Sequence, residues 1–187
     1  MRVIGGIAGG RKLAAPKGMR IRPTSDRVKE ALFSILGSYL DTFSHCGVLD
    51  IFAGTGSLGI EALSRGAIQA VFVDSHKDSV TLILKNLQNL GFSEQGRVLA
   101  KEALPALKLL EKQGITFQLV FLDPPYRQGA AVHVLEHLAT SPLIDAGSLL
   151  IAESAADEHL PPAIGPLQEF DRRVYGETAV SFYRLNG

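Results

Sequence analysis

The sequence has one cysteine, Cys46, and no tryptophan. A single thiol excludes an internal disulfide framework and a cysteine-based metal cluster. The five histidines are scattered, so no histidine cluster asks for a metal either. No apolar run approaches the roughly 18 residues that span a bilayer. The opening MRVIGGIAGG is too short and too glycine-broken for a signal-peptide core. Net charge is missing as well, with nineteen basic residues against nineteen acidic ones. These absences point to a cytoplasmic, metal-free, membrane-free globular chain. Its 187 residues suit one domain with a small appendage, and 46% hydrophobic residues supply a core.

The zero net charge hides an asymmetry. Residues 1–30 carry eight basic residues (Arg2, Arg11, Lys12, Lys17, Arg20, Arg22, Arg27, Lys29) and two acidic ones. The remaining chain has eleven basic and seventeen acidic residues. A positive arm on an acidic body suggests a polyanionic partner touched at one end. Residues 1–23 read as a basic arm or hairpin and 24–187 as the main domain. Pro23, then Thr24 or Ser25 as cap and Asp26 in the first turn, open a helix. Its core face is Val28, Ala31, Leu32, Ile35, Leu36 and Tyr39.

From Gly47 onward strands and helices alternate, which predicts an α/β domain with a parallel sheet covered on both faces. Seven strands are expected: GVLDIFAG, AVFVD, RVLAK, FQLVFLD, GSLLIAES and a closing antiparallel pair, EFDRRVY and TAVSFYRL. The helix over 76–90 carries Val80, Ile83, Leu84, Leu87 and Leu90 on one face. The proline-rich LPPAIGP is expected to be a connector.

Between the first strand and its helix lies LDIFAGTGSLG. Gly54, Gly56 and Gly59 give G-x-G-x-x-G, and Asp74 follows at the end of the next strand. Such a loop brings a ligand to backbone N–H groups, and the acid can accept ribose hydroxyls. Alone, this fits a dinucleotide or S-adenosylmethionine. Asp50 favours the second. An extra carboxylate is unwelcome beside a pyrophosphate, whereas S-adenosylmethionine brings an ammonium and a sulfonium. Phe52, Ala53 and Thr55 complete the loop.

The stretch LVFLDPPYRQG raises a second question: why a buried strand should end in an acid, two prolines and a tyrosine. An exocyclic amine on a nucleobase is planar and a poor nucleophile. Asp123 can accept a hydrogen bond from one N–H and the Pro124 carbonyl from the other. Pro124 and Pro125 keep the turn rigid. Two acceptors hold the amine and favour positive charge developing on nitrogen. Tyr126 offers a face on which a base can stack. DPPY has no part in hydride transfer, so it too favours methyl transfer.

The combination resembles the amino-group methyltransferases with a Rossmann-like class I S-adenosylmethionine-dependent fold. DPPY alone does not choose the substrate. R-V-I-x-G with G-R-K-L, then R-P-T-S-D-R-V-K-E-A-L-F, the extended glycine motif through A-L-S-R-G, and Y-G-E-T-A-V-S-F-Y-R are similar to the RsmD family. These are bacterial 16S ribosomal RNA (guanine(966)-N(2))-methyltransferases. The resemblance implies a monomeric enzyme methylating one guanine of 16S rRNA in the small ribosomal subunit. It implies that Asp50, Gly54 and Gly56 contact the methionine part, Asp74 the ribose, and Asp123 to Tyr126 the guanine. Arg11, Arg20, Arg22, Thr24 and Arg27 become the candidates for RNA. The position after the third strand, often Asp or Asn and used on the adenine amine, is Glu102 here, followed by Ala103. Methylation of DNA adenine, or a non-catalytic rRNA-binding assembly factor, remain alternatives to this reading.

Overall fold

The structure is a computed structural model that describes residues 1–15 and 26–186. Its centre is a sheet in the order β3-β2-β1-β4-β5-β8-β7-β6. The parallel part comprises β1 (Gly47–Ile51), β2 (Gln69–Asp74), β3 (Gly96–Ala100), β4 (Leu119–Leu122) and β5 (Leu149–Ala155). β6 (Ala163–Ile164), β7 (Leu167–Tyr175) and β8 (Thr178–Leu185) close it antiparallel. The expected seven strands are therefore eight. The extra one is inside LPPAIGP: Ala163 and Ile164 fold back on Leu167 and Gln168 around Gly165, whose φ is 57°. Two residues are too few for a periodic signal, so only the turn could have announced it.

Alternation along the strands sorts side chains onto two faces. Val48, Phe72, Phe121 and Ile151 share one core with α1 (Asp26–Tyr39), α2 (Ser57–Ser64) and α3 (Lys77–Leu90). Leu49, Val71, Val120 and Leu150 share the other with α4 (Ala103–Glu111) and α5 (Ala130–Leu138). Because both faces are covered, the central strands read as continuous apolar runs. Asp50 is the exception, a carboxylate 2% exposed in an otherwise apolar strand.

Two helix faces differ from the expected ones. On α1, Val28, Leu32 and Leu36 are buried as expected, Ala31 and Ile35 are half-buried and Tyr39 is exposed, while Phe33 and Lys29 are buried in addition. On α3, Leu84 is exposed, and the buried face is Ser79, Ile83, Asn86, Leu87 and Leu90. In both cases a polar residue enters the core because it has a specific partner.

Lys29 has its partner in Glu61 of α2. The Glu61 carboxylate is fully buried. It accepts the backbone N–H groups of Ile4 (2.7 Å) and Gly5 (2.8 Å) and Nε of Arg65 (2.9 Å), with Lys29 Nζ at 3.7 Å. Lys29 also donates to the carbonyl of Arg2 at 2.6 Å. Burial pulls the Lys29 pKa down, and Glu61 opposes that shift. The N-terminal residues form a small hairpin, bridged between Arg2 and Lys12, whose Val3, Ala8 and Leu13 enter the core. Gly6 sits so close to α2 that a Cβ there would lie 1.8 Å from the Ser64 carbonyl oxygen. Lys29 is therefore a structural cation and not part of a polyanion-binding surface, which corrects the charge tally of the first thirty residues.

Removing one side of a buried ion pair leaves an uncompensated charge and costs about 3–5 kcal/mol. Glu61→Ala should lower the unfolding free energy by about that amount in urea titrations. Glu61→Gln, which keeps an acceptor for the hairpin amides, should lose less.

Candidate active site

β1 is flanked by β2 on one side and β4 on the other, so the chain reverses its direction of growth there. Ligands of open α/β sheets bind beyond the carboxyl ends of strands at such a point. The register pairs Ile51 with Leu122, which sets Asp123 beside Phe52, and the Asp123 N–H donates to the Ile51 carbonyl at 3.3 Å. DPPY and the glycine loop, far apart in sequence, are thus neighbours.

The loop is held from several sides. The Asp50 carboxylate accepts the Gly59 N–H at 2.9 Å. Asp74 accepts the Gly54 N–H and the His76 N–H, both at 2.9 Å. Gly59 permits the close approach of α2 to the sheet, since a Cβ there would meet the Phe72 ring at 2.4 Å. Gly54 differs: its nearest obstacle would be the Phe52 carbonyl oxygen at 4.0 Å, so open space lies before its backbone. Phe52 itself adopts a φ of 60°, costly for a residue with a bulky side chain. The sequence carries no signal of that strain.

These residues fit S-adenosylmethionine by the chemistry of their donors. Gly56, the residue before α2, has no side chain to cap the helix, and Asp50 takes the Gly59 N–H, so it is the N–H groups of Ser57 and Leu58 in the first turn that are placed for a carboxylate. Asp50 and Asp74 stand at the carboxyl ends of β1 and β2, positions for an ammonium and for ribose hydroxyls. Ala53 and Thr55 lie in the loop, Thr55 buried. Glu102 is exposed just before α4 and makes no side-chain cap bond to it, while Ala103 is buried in the first turn.

On the other rim, Pro124 is buried, Pro125 exposed and Tyr126 half-buried, with its hydroxyl 3.4 Å from Oγ1 of Thr178. Arg127 follows at a φ of 61°. Its N–H lies 3.2 Å from both Glu158 carboxylate oxygens, and its guanidinium meets Asp157 at 2.8 Å. The loop after β5 thereby fixes the turn. Sequence reading does not find Thr178, Glu158 or Asp157, because their roles arise only when β8 and that loop fold back.

Burial pushes the Asp50 carboxyl up to about 8, with Asp123 and Asp74 adding repulsion and the Gly59 N–H opposing it. Burial also raises Asp123. Asp123 keeps some solvent access at the rim, whereas Asp50 is 2% exposed.

Of the RNA candidates, Arg11 and Arg27 are among the described residues. Arg27 is exposed on the first turn of α1. Arg20, Arg22 and Thr24 lie outside the described residues, as does the expected helix cap. Arg11 donates to the carbonyls of Asn89 and Leu90 at the end of α3, where the helix dipole favours a cation. Arg11 is exposed, and part of its guanidinium is engaged in capping α3. A surface depression of about 380 Å³ bordered by Lys101, Leu104, Pro105, Lys108, Leu109 and Lys112 lies along α4 and contains none of the site acids. Among the described residues no group of three His, Cys, Asp or Glu side chains is arranged to hold a metal ion, and no helix is long and apolar enough to cross a membrane.

A family model described as conserved hypothetical protein 95 matches residues 1–184. The chain is similar to the ribosomal RNA small subunit methyltransferase D of Haemophilus influenzae, 40% identical over 161 residues, which is 86% of this chain and 81% of that one. A solved hypothetical protein from Thermus thermophilus matches with a TM-score of 0.83 and 32% identity, covering 97% of this chain and 98% of its own. The SAM-dependent methyltransferase from Agrobacterium tumefaciens shares the fold at a TM-score of 0.65 and 14% identity, covering 83% of this chain and 61% of its own.

An acid with a raised folded-state pKa binds its proton more tightly folded than unfolded. Its contribution to stability is complete below the ordinary carboxylate range, near 4, and is lost as pH rises toward the folded value. For Asp50 that window runs from about 4 up to about 8. Thermal melts of the cofactor-free protein should show Tm falling across it. Asp50→Asn, which keeps an acceptor for Gly59, should flatten that slope while weakening cofactor affinity. An unchanged slope would remove Asp50 as its source.

Proposed function

The chain belongs to the family described as conserved hypothetical protein 95, and from that premise we propose that it is an S-adenosylmethionine-dependent rRNA methyltransferase acting on the N2 amine of one guanine in 16S rRNA, the guanine 966 type. Three things support this reading. The relative from Haemophilus influenzae is named for ribosomal RNA. The glycine loop and its acids suit the cofactor. The observation that carries the chemistry is the register of β1 on β4, which sets Asp123 beside the loop that would hold the methyl donor.

The cofactor supplies a methyl group on a positively charged sulfur. The protein's own residues do the rest. Asp123 accepts one N–H of the guanine amine, and the Pro124 carbonyl accepts the other. The amine is thereby fixed with its lone pair toward the loop, and its nucleophilicity is not spent on solvent. As nitrogen gains the methyl carbon and its charge turns positive, the Asp123 carboxylate faces that charge across a hydrogen bond. Burial raises the proton affinity of Asp123, making it the acceptor this site offers for the proton the nitrogen must lose. Tyr126, its hydroxyl near Thr178, presents a ring on which the base stacks, worth about 1–3 kcal/mol. That offsets the few kcal/mol needed to unstack the base from its loop. The small ribosomal subunit is the proposed context and the monomer the proposed form. The cofactor-loop residues Phe52 to Gly56, with Asp50, Asp74, Glu102 and Ala103, are the proposed cofactor set. Arg27, with Arg20, Arg22 and Thr24 from sequence, is proposed for RNA.

Labelled cofactor incubated with small subunits lacking the modification should place N2-methylguanosine in 16S rRNA, read by nucleoside mass mapping. Label found only in DNA as methyladenine, or in no nucleic acid, would overturn the reading. Asp123→Ala should lower kcat by about 10²–10³ with cofactor affinity nearly retained. Because Asp123 is shifted upward and must be ionised to accept the hydrogen bond, wild-type kcat should fall on the acid side at a higher pH than an ordinary carboxylate would give.

A further inference from the structure

Asn86 is a buried amide, 1% exposed, on the apolar face of α3 between Ile83, Leu87 and Leu90. An amide buried without partners is costly, and a leucine would pack the helix as well. Both polar atoms of the Asn86 side chain are used, and none of the bonds is within α3. Its Oδ1 accepts the Ala14 N–H at 2.7 Å. Its Nδ2 donates to the Ala14 carbonyl at 3.2 Å and to the Thr55 carbonyl at 3.0 Å. Ala14 lies at the end of the N-terminal hairpin, and Thr55 sits between Gly54 and Gly56. One side chain therefore ties the hairpin to the glycine loop. A second, weaker tie joins them where the Thr55 hydroxyl meets the Met1 sulfur at 3.6 Å.

We propose that Asn86 is a positioning residue that couples the hairpin to the glycine loop, so that RNA and cofactor strengthen each other's binding. This rests on the RNA-methylation reading above. Among the described residues the hairpin is also fixed by Glu61 and Ser64 of α2, by Lys29 of α1 on the Arg2 carbonyl, and by Arg11 on the end of α3. α2 begins directly after the glycine loop, so its anchors on the hairpin lead to the same loop that Asn86 holds. The hairpin presents the exposed cations Arg11 and Lys12, and Arg2, whose largely exposed guanidinium pairs with Asp26 at 3.5 Å. A polyanion resting there restricts the hairpin, and the Asn86 bridge passes that restriction to the Thr55 carbonyl. The loop is then ordered before cofactor arrives, and the converse follows by linkage. Asn86, 1% exposed, acts through Ala14 and Thr55.

The test is the affinity of S-adenosylhomocysteine, measured by equilibrium binding with and without small ribosomal subunits lacking the modification. In the wild type, RNA should tighten it by about 5–150-fold, the usual size of such coupling. Asn86→Leu removes all three bonds and should bring that ratio close to one, while RNA-free affinity changes far less. Asn86→Asp keeps an acceptor for the Ala14 N–H and severs the Thr55 link, and it should lose the ratio too. A retained ratio in either variant overturns the proposal, and so does a loss of RNA-free affinity as large as the loss of coupling. If neither variant folds, hydrogen exchange on the wild type decides. S-adenosylhomocysteine alone should slow exchange of the Ala14 amide, and unchanged exchange there overturns the coupling. A wild type that methylates RNA but shows no ratio refutes the coupling alone. One that methylates no RNA refutes the functional reading beneath it.

Discussion

The parallel pairing of β1 with β4 is the constraint on which the rest of the site depends. It joins strands whose loops differ in kind, one rich in glycine, the other carrying Asp123 and two prolines. Ile51 opposite Leu122 leaves both strands ending at the same level, so Phe52 and Asp123 emerge side by side. A one-residue slip would turn Asp50 to the opposite face and bury it against α4 and α5. The apolar alternation Val48/Leu49 and Val120/Phe121, each member committed to its own core, prevents that slip.

Around this pairing the protein concentrates acids, and the same kind of side chain is used in two opposite ways. Asp50, Asp74 and Asp123 are close enough for the last two to raise the first. No cation among the groups that shift Asp50 offsets them, a costly arrangement in the free protein that suits the arrival of a positively charged ligand. Glu61, just along α2, is equally buried but receives Lys29, Arg65 and two backbone N–H groups. Its charge is satisfied within the fold, and its work is to fasten the N-terminal hairpin. What separates an acid that waits for a ligand from one that holds structure is the set of partners around it, not its burial.

Much of this is legible in the sequence where the signal is local. Strand, glycine turn and helix follow each other within one βαβ unit, and LVFL followed by DPPY marks the end of a strand without reference to anything distant. Lys29 reads wrongly as surface charge, because its partner Glu61 is remote in sequence and helical periodicity cannot see a salt bridge. Arg11 has a second role that the sequence does not announce, since the end of α3 that it caps is remote along the chain. Asn86 and the left-handed Phe52 give no signal at all. Each follows from contacts that exist only once the hairpin, α3 and the glycine loop have met.

The sequence by itself determined the alternation of strands and helices, the glycine turn after β1, the acids at strand ends and the stiff DPPY turn, since propensity, periodicity and steric restriction act over a few residues. Tertiary structure alone decided that β4 lies next to β1, that Glu61 captures Lys29 and the hairpin, that Asn86 bridges Ala14 and Thr55, and that burial lifts the affinity of Asp50 and Asp123 for protons. Those outcomes depend on which distant surfaces exclude water together, and desolvation and hydrogen-bond partnership are properties of the assembled core and not of any short stretch of chain.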